Sequence, residues 1–226
     1  MSSPIDYTLE DGIATITVDD GKVNALSSAT STAIAAALDR AAGDEAVVVL
    51  TGRASTLSAG FDLRSDDWRT MLADGARLAE RLLTHPQPTV IACNGHAIAM
   101  GAFLLLSADV RVGVAGEHRI GLNEVAIGLT LPHFAIAIAR HRLPAPRFDR
   151  CTVTGPLIGP DEALAAGFLD RVVAPEELQE TARAEARALQ GLDRKAHAAT
   201  KLRVRERALA ELREGIAALE GDQAGW

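Results

Sequence analysis

The sequence predicts a mixed α/β fold with a largely parallel sheet, on three observations. Residues 46–50, 89–93 and 110–114 are short apolar runs rich in Val, the composition of strands buried on both faces. Stretches with apolar residues at helical spacing lie between them, the alternation that crossover connections require. From Glu162 onward Ala, Leu, Glu and Arg dominate and Gly becomes sparse, so the chain should end in helices.

Taken in order, residues 5–18 alternate around Asp11-Gly12, which reads as a β-hairpin whose two-residue turn needs positive φ. Asp19-Asp20-Gly21-Lys22 is a polar loop. Residues 27–42 carry Ala, Ile and Leu at helical spacing behind a Ser/Thr-rich entry and read as the first helix. The strand 46–50 is ended by Thr51-Gly52-Arg53, residues 54–60 read as a loop, and 66–83 form an amphipathic helix broken by His85-Pro86-Gln87-Pro88. The strand 89–93 leads through Asn94-Gly95 into a helix over 99–107 and the strand 110–114. Residues 176–190 and 196–219 read as helices, and 221–226 as a frayed end. The division is a core over 1–175 and a C-terminal helical region over 176–226, whose apolar positions need a cover, either their own core or a neighbouring subunit.

The totals narrow the function. With 226 residues, 48% of them hydrophobic, the chain can bury a sizeable core. Its apolar runs are too short or too interrupted to cross a bilayer, so no membrane association is expected. The first residues have neither a basic nor an apolar leader region, which gives a cytoplasmic expectation. Cys93 and Cys151 sit in apolar surroundings and are expected to stay reduced. A net charge of −7 with no basic run argues against nucleic acid as a partner. The six His are scattered, with no HExxH or paired CxxC, so no metal is expected. No GxGxxG stands between a strand and a helix, which disfavours a dinucleotide cofactor.

Two Gly-containing loops carry the chemistry: Ser58-Ala59-Gly60-Phe61-Asp62 and Asn94-Gly95-His96-Ala97-Ile98-Ala99-Met100-Gly101. Small residues let a substrate approach the backbone, and N–H groups at a helix start present partial positive charge to an anion. Each loop alone reads equally as a tight turn. Together with Gly-Lys-Val-Asn-Ala-Leu (21–26), Gln-Pro-Thr-Val-Ile-Ala-Cys (87–93), Asn-Glu-Val-Ala-Ile-Gly-Leu (123–129) and Asp-Glu-Ala-Leu-Ala-Ala-Gly-Phe-Leu-Asp-Arg-Val-Val (161–173), they make a chain that resembles the crotonase superfamily, the enoyl-CoA hydratase/isomerase family, over nearly its full length.

That resemblance implies an α/β spiral of β-β-α turns with a C-terminal helical region, assembled as a homotrimer or hexamer. It implies an acyl-coenzyme A thioester as substrate, coenzyme A being part of that substrate and no separate cofactor being needed. It assigns an oxyanion hole to the backbone N–H groups of Phe61 and Met100, and coenzyme A contacts to Lys22, Val23, Ala59, Phe61, Asp62, Leu63, Met100 and Gly101. Relatives carry small residues where Phe61, Ala99 and Met100 stand, so the pocket should be narrower here. Of the two carboxylates that hydratases use, the second is Glu124, while Phe103 stands at the position of the first. Losing one acid/base group costs a factor of about 10²–10⁴. The favoured reaction is therefore single-Glu isomerisation of a 3-enoyl to a 2-enoyl thioester. A hydratase with a replacement for the first carboxylate, from His133 or from Asp66-Asp67, is the alternative, followed by a non-catalytic acyl-CoA-binding subunit. Phe103 and His133 are the acyl-pocket candidates, with His96 a weaker one. Lys201 and Arg203 read as a solvated helix face, and Asp62 and Asp109 as turn and cap residues.

Overall fold

A computed structural model describes residues 4–53 and 55–221. The expected fraying at the C-terminus falls, beyond Gly221, outside the described residues. The hairpin forms where Asp11-Gly12 predicts it: β1 (Ile5–Glu10) and β2 (Ile13–Val18) pair antiparallel, with φ of 50° and 73° at the two turn residues. Helix α1 (Ser28–Gly43) starts at Ser27, whose side chain accepts from Thr30 N, so a serine fixes the first turn. β3 (Val47–Gly52) then adds parallel to β2.

The three-residue strand β4 (Thr56–Ser58) leads to α2 (Trp68–Thr84), capped by the Asp67 side chain on Thr70 N. β5 (Thr89–Cys93), β6 (His96–Ile98), α3 (Met100–Ser107), β7 (Val110–Val114) and β8 (Ile120–Gly121) follow. Next come α4 (His133–Arg142), α5 (Ala145–Val153), α6 (Pro160–Ala166) and β9 (Arg171–Val173). Helices α7 (Leu178–Leu189) and α8 (Arg194–Glu220) complete the described chain.

The main sheet has the order β1-β2-β3-β5-β7-β9 and is parallel except at its first pair. The sequence did not separate β4, β6 and β8, which form a second parallel sheet. Strands of two or three residues are too short to show a period of two. The apolar runs work as strands buried on both faces. Val48, Leu50, Ile91 and Cys93 point into the large core shared with α1–α4, while Val47, Val49, Val90 and Ala92 meet Leu178, Ala182 and Ala186 of α7.

The C-terminal helices pack on this same chain. α7 covers the outer face of the main sheet, and α8 lies across α2 and α4, with Leu209, Leu212, Ile216 and Leu219 in the large core. Lys201 differs from its expectation of a solvated face. Its ammonium is buried and donates to His85 O, Gln87 O and Asp109 Oδ2, while Arg205 donates to Leu83 O and Asp109 Oδ1. Arg203 is exposed as expected. Helical spacing located α8 correctly but not that its N-terminal half also faces inward, because the buried stripe there is cationic before it becomes apolar from Ala208.

Candidate active site

The first Gly-containing loop is held by the segment 23–26. Ala59 N donates to Val23 O (3.0 Å), Leu26 N to Gly60 O (2.8 Å) and Asp62 N to Leu26 O (3.2 Å). Ser58 Oγ ties the same two segments, donating to Asn24 O and accepting from Gly60 N. In this one-bridge parallel pairing the N–H groups of 26 and 62 are used, so Phe61 N–H faces the other way. The segment 19–25 is itself shaped by Asp20, whose carboxylate accepts from the N–H groups of Lys22, Asn24 and Ala25.

The second loop ends at Ala99, whose N–H donates to Gly121 O and whose carbonyl accepts from the N–H groups of Ala102 and Phe103. Met100 and Gly101, the first residues of α3, have N–H groups with no preceding helical turn to serve. Ala99 holds φ 52° and ψ −120°, a conformation that glycine adopts freely and alanine only under strain. The two loops touch there: a Cβ on Gly60 would stand 2.9 Å from Ala99 Cβ and 3.5 Å from Met100 N. Gly60 at φ 94° thus permits both its own turn and the approach of α3. The arrangement sets the backbone N–H groups of residues 61 and 100 on adjoining loops.

Beside these loops lies a cavity of about 610 Å³, walled almost wholly by carbon. Ala59, Phe61, Leu63 and Ala99 border it from the loop side, Trp68, Arg69 and Leu72 from α2, and Phe134 and Ala135 from α4. Phe103, from the second turn of α3, and Phe134 are 2% and 1% exposed, with ring centroids 6.5 Å apart. Glu124 enters from the turn after β8. Its carbonyl accepts from Ile127 N and Leu129 N, which fixes the turn, and its Oε2 is buried with no hydrogen-bond partner. Burial pushes its pKa up to about 7, against the opposing effect of a bond from its own N–H. Asn123 Oδ1, also in the lining, is likewise buried and unpartnered. Glu124 is the one carboxylic acid among the described residues that line this cavity.

Several expected site residues fall elsewhere. His133 is exposed at the first residue of α4 and does not line the cavity; the buried face of α4 begins at the next residue, and Phe134 faces inward instead. The Met100 side chain is fully buried behind the loop, toward Gly75 of α2, so it does not narrow the cavity, whereas the Phe61 ring does border it. Gly101 is packed so closely that a Cβ there would lie 2.5 Å from Ser58 O. Lys22 and Val23 are exposed beside the first loop, and Leu63, 60% exposed, stands at the cavity's mouth. Asp62 is committed to Arg64, whose side chain holds its pKa below the usual carboxylate range. Asp67 caps α2 and Asp66 is exposed, so neither replaces a second acid in the cavity. His96 accepts from Arg119 N and meets the His118 ring edge-on. Among the lining residues that sequence reasoning missed are Trp68, Arg69, Leu72, Thr130 and Phe134. The spacing of Trp68 and Leu72, one helical turn apart on an amphipathic helix, was the available signal.

A model of the family described as enoyl-CoA hydratase/isomerase matches residues 8–223. The chain is 30% identical to a probable enoyl-CoA hydratase of Mycolicibacterium paratuberculosis, across 97% of this chain and 91% of that protein. Among solved structures, an enoyl-CoA hydratase/isomerase family protein from Pseudomonas syringae is 46% identical, with a TM-score of 0.93 and coverage of 96% and 97% of the two chains. An enoyl-CoA isomerase of Mycobacterium tuberculosis is 45% identical, with a TM-score of 0.94 and coverage of 98% and 100%.

Proposed function

Because the chain belongs to the enoyl-CoA hydratase/isomerase family, we propose that it isomerises a 3-enoyl-CoA to the 2-enoyl-CoA, with Glu124 as its proton carrier. The thioester oxygen accepts from the N–H groups of Phe61 and Met100. As Glu124 removes a proton from carbon 2, electron density moves onto that oxygen, and two fixed donors in an apolar site stabilise it without reorganising. Glu124 then returns the proton at carbon 4 and the double bond comes to rest between carbons 2 and 3. One proton leaves and one returns, so the step needs no redox partner and no cofactor beyond the coenzyme A that the substrate already carries.

The observation that carries this reading is the setting of Glu124: a single carboxyl, its Oε2 buried without a partner, in a carbon-lined cavity, with a pKa pushed up to about 7. Such a group exchanges protons readily in both directions near pH 7. The 45% identical M. tuberculosis protein is called an isomerase in one structure and a probable enoyl-CoA hydratase in another, so that likeness supports the family chemistry and the choice of reaction rests on the cavity itself. Hydration, the activity in the name of the M. paratuberculosis relative, needs a second group to hold the attacking water. Phe103 occupies the side of the cavity where that group would act and offers none. We further infer a homotrimer or hexamer, a reading supported by exposed Val125, Val153 and Leu157, whose apolar surface calls for a cover.

The test is turnover of paired 2-enoyl-CoA and 3-enoyl-CoA substrates in heavy-oxygen water. Conversion of the 3-enoyl to the 2-enoyl thioester without label, reduced by about 10²–10⁴ in Glu124→Gln, is the expected result. Rapid label uptake into a 3-hydroxyacyl product makes the protein a hydratase. Tight binding of substrate with no turnover makes it a binding subunit.

A further inference from the structure

The chain has eight aromatic residues, five Phe, two Trp and one Tyr, and four of them, Phe61, Trp68, Phe103 and Phe134, border the one cavity that holds Glu124. Aromatic side chains are the largest apolar surfaces available, so this concentration makes an extended apolar lining rather than a small niche. At roughly 30 Å³ per second-row atom, a four-carbon acyl group would occupy about 120 Å³ and leave most of the space to water against carbon. A chain of about eight to twelve carbons fills about 240–360 Å³ and leaves the remainder for the thioester and the open mouth, so the volume disfavours short chains, and any upper limit comes from the closed wall rather than from the volume. The polar groups of the lining, Asn123, Glu124, Thr130 and Arg69, leave its α3 and α4 walls purely apolar, since Phe103, Phe134 and Ala135 offer no hydrogen-bonding side chain. A polar or charged tail reaching those walls would lose its hydration uncompensated.

The deep end is closed and reinforced. Phe103 and Phe134 are buried there, and α8 presses on the backbone behind Phe134: a Cβ on Gly215 would lie 2.6 Å from Phe134 N and 3.0 Å from its Cα. Glycine at 215 lets α8 seat directly on the first turn of α4, so the backbone that carries the Phe134 ring cannot shift toward α8. Leu63, Trp68, Ile127 and Leu129, exposed or half-exposed, mark the opposite, open side.

We propose that this protein takes acyl-coenzyme A thioesters with unsubstituted hydrocarbon chains of medium length, and that the Phe103–Phe134 wall, buttressed by Gly215 of α8, sets the upper limit. The proposal rests on the acyl-CoA reading above but not on which reaction follows. Its test is therefore binding as well as turnover: calorimetry with saturated acyl-CoA thioesters of four, eight, twelve and sixteen carbons, and kcat/KM for the matching 3-enoyl thioesters. Each methylene buried is worth up to about a fourfold gain, so affinity should climb steeply from four to eight carbons, level off by twelve and gain nothing at sixteen. Phe134→Leu and Phe103→Leu, which keep the wall apolar while shortening it, should move the plateau toward longer chains. Equal affinity for four and twelve carbons overturns the proposal, as does a continuous rise through sixteen or a plateau that both variants leave in place. Graded binding with no isomerisation at any length would instead sink the isomerase reading and leave the chain-length assignment standing.

Discussion

At Glu124, burial and basicity are coupled, and the coupling has a sign. The carboxyl's pKa is raised to about 7 because the charged form loses its water. In the unfolded chain it titrates near 4.3, so between those values the folded state holds the extra proton, and stability falls as pH rises through that window. Glu124→Gln removes the penalty, so at pH 8 the variant should be more stable by up to about 3 kcal/mol, with the difference vanishing near pH 4. Thermal unfolding at the two pH values checks this. The same group acting as a base predicts that kcat/KM of the wild type rises with pH through about 7 and then levels off. Ala99 carries a second residue-scale cost. Its φ of 52° with ψ −120° is a glycine conformation, so Ala99→Gly should relieve about 1 kcal/mol or more and raise the melting temperature by roughly 2–4 °C. Activity in that variant reports whether the methyl that borders the cavity also positions substrate. Glu124 and Phe103 were legible from the sequence because they sit in long matched motifs. A raised pKa was legible too, from the apolar Phe103, Val125 and Leu129 around Glu124, whereas the walls that α2 and α4 add to the cavity were not.

Among the elements, the fit of α2 against the first Gly-containing loop is set by one glycine. A Cβ on Gly75 would lie 2.5 Å from both Cε1 and Cζ of Phe61, so the ring rests directly on the helix backbone. Gly75→Ala should push that ring, and with it the adjoining N–H, out of place. The expected result is a loss of about 10-fold or more in kcat with a smaller change in KM, since a donor to developing charge matters most in the transition state. Phe61→Leu in the same chain should restore part of the rate by giving the new methyl space; a double variant no better than Gly75→Ala would mean the defect lies in α2 itself. Helices α1, α2, α3, α7 and α8 and the long strands were readable from apolar period, α1 also from its Ser/Thr-rich entry at Ser27, whereas α4 and α5, in a stretch the sequence left unassigned, were not. Strands β4, β6 and β8 were not, and they set the course of the two loops. Their pairing is a tertiary fact, decided by Gly95 and Gly101, where a Cβ would collide with the backbone of Ser55 and Ser58.

For the whole molecule, the C-terminal helices are joined to the catalytic side by charge as well as by apolar packing. Asp109, following α3, is largely covered, its side chain 14% exposed, between Lys201 and Arg205 of α8 at 2.7 Å each and also accepts from Thr89 N, at the start of β5. Burial alone would raise its pKa, but the two cations outweigh that and hold it below the usual carboxylate value. A depressed folded pKa gives stability that is present above the unfolded value near 3.9 and lost as pH falls through the folded one, so this junction should fail in acid. Composition announced a helical tail without revealing that junction, because Lys201 reads as an ordinary exposed cation, and Arg205 carries no signal of its own, until Asp109 is placed beneath them. Asp109→Asn leaves two buried cations without a counter-charge, which should cost about 3–5 kcal/mol and lower the melting temperature by roughly 6–20 °C. Since α8 also backs Phe134 through Gly215, a loosened tail should soften the wall of the acyl cavity. Below its new melting temperature, Asp109→Asn should therefore discriminate less sharply between twelve- and sixteen-carbon thioesters. Unchanged discrimination in a destabilised variant would show that the wall is held by α4 alone.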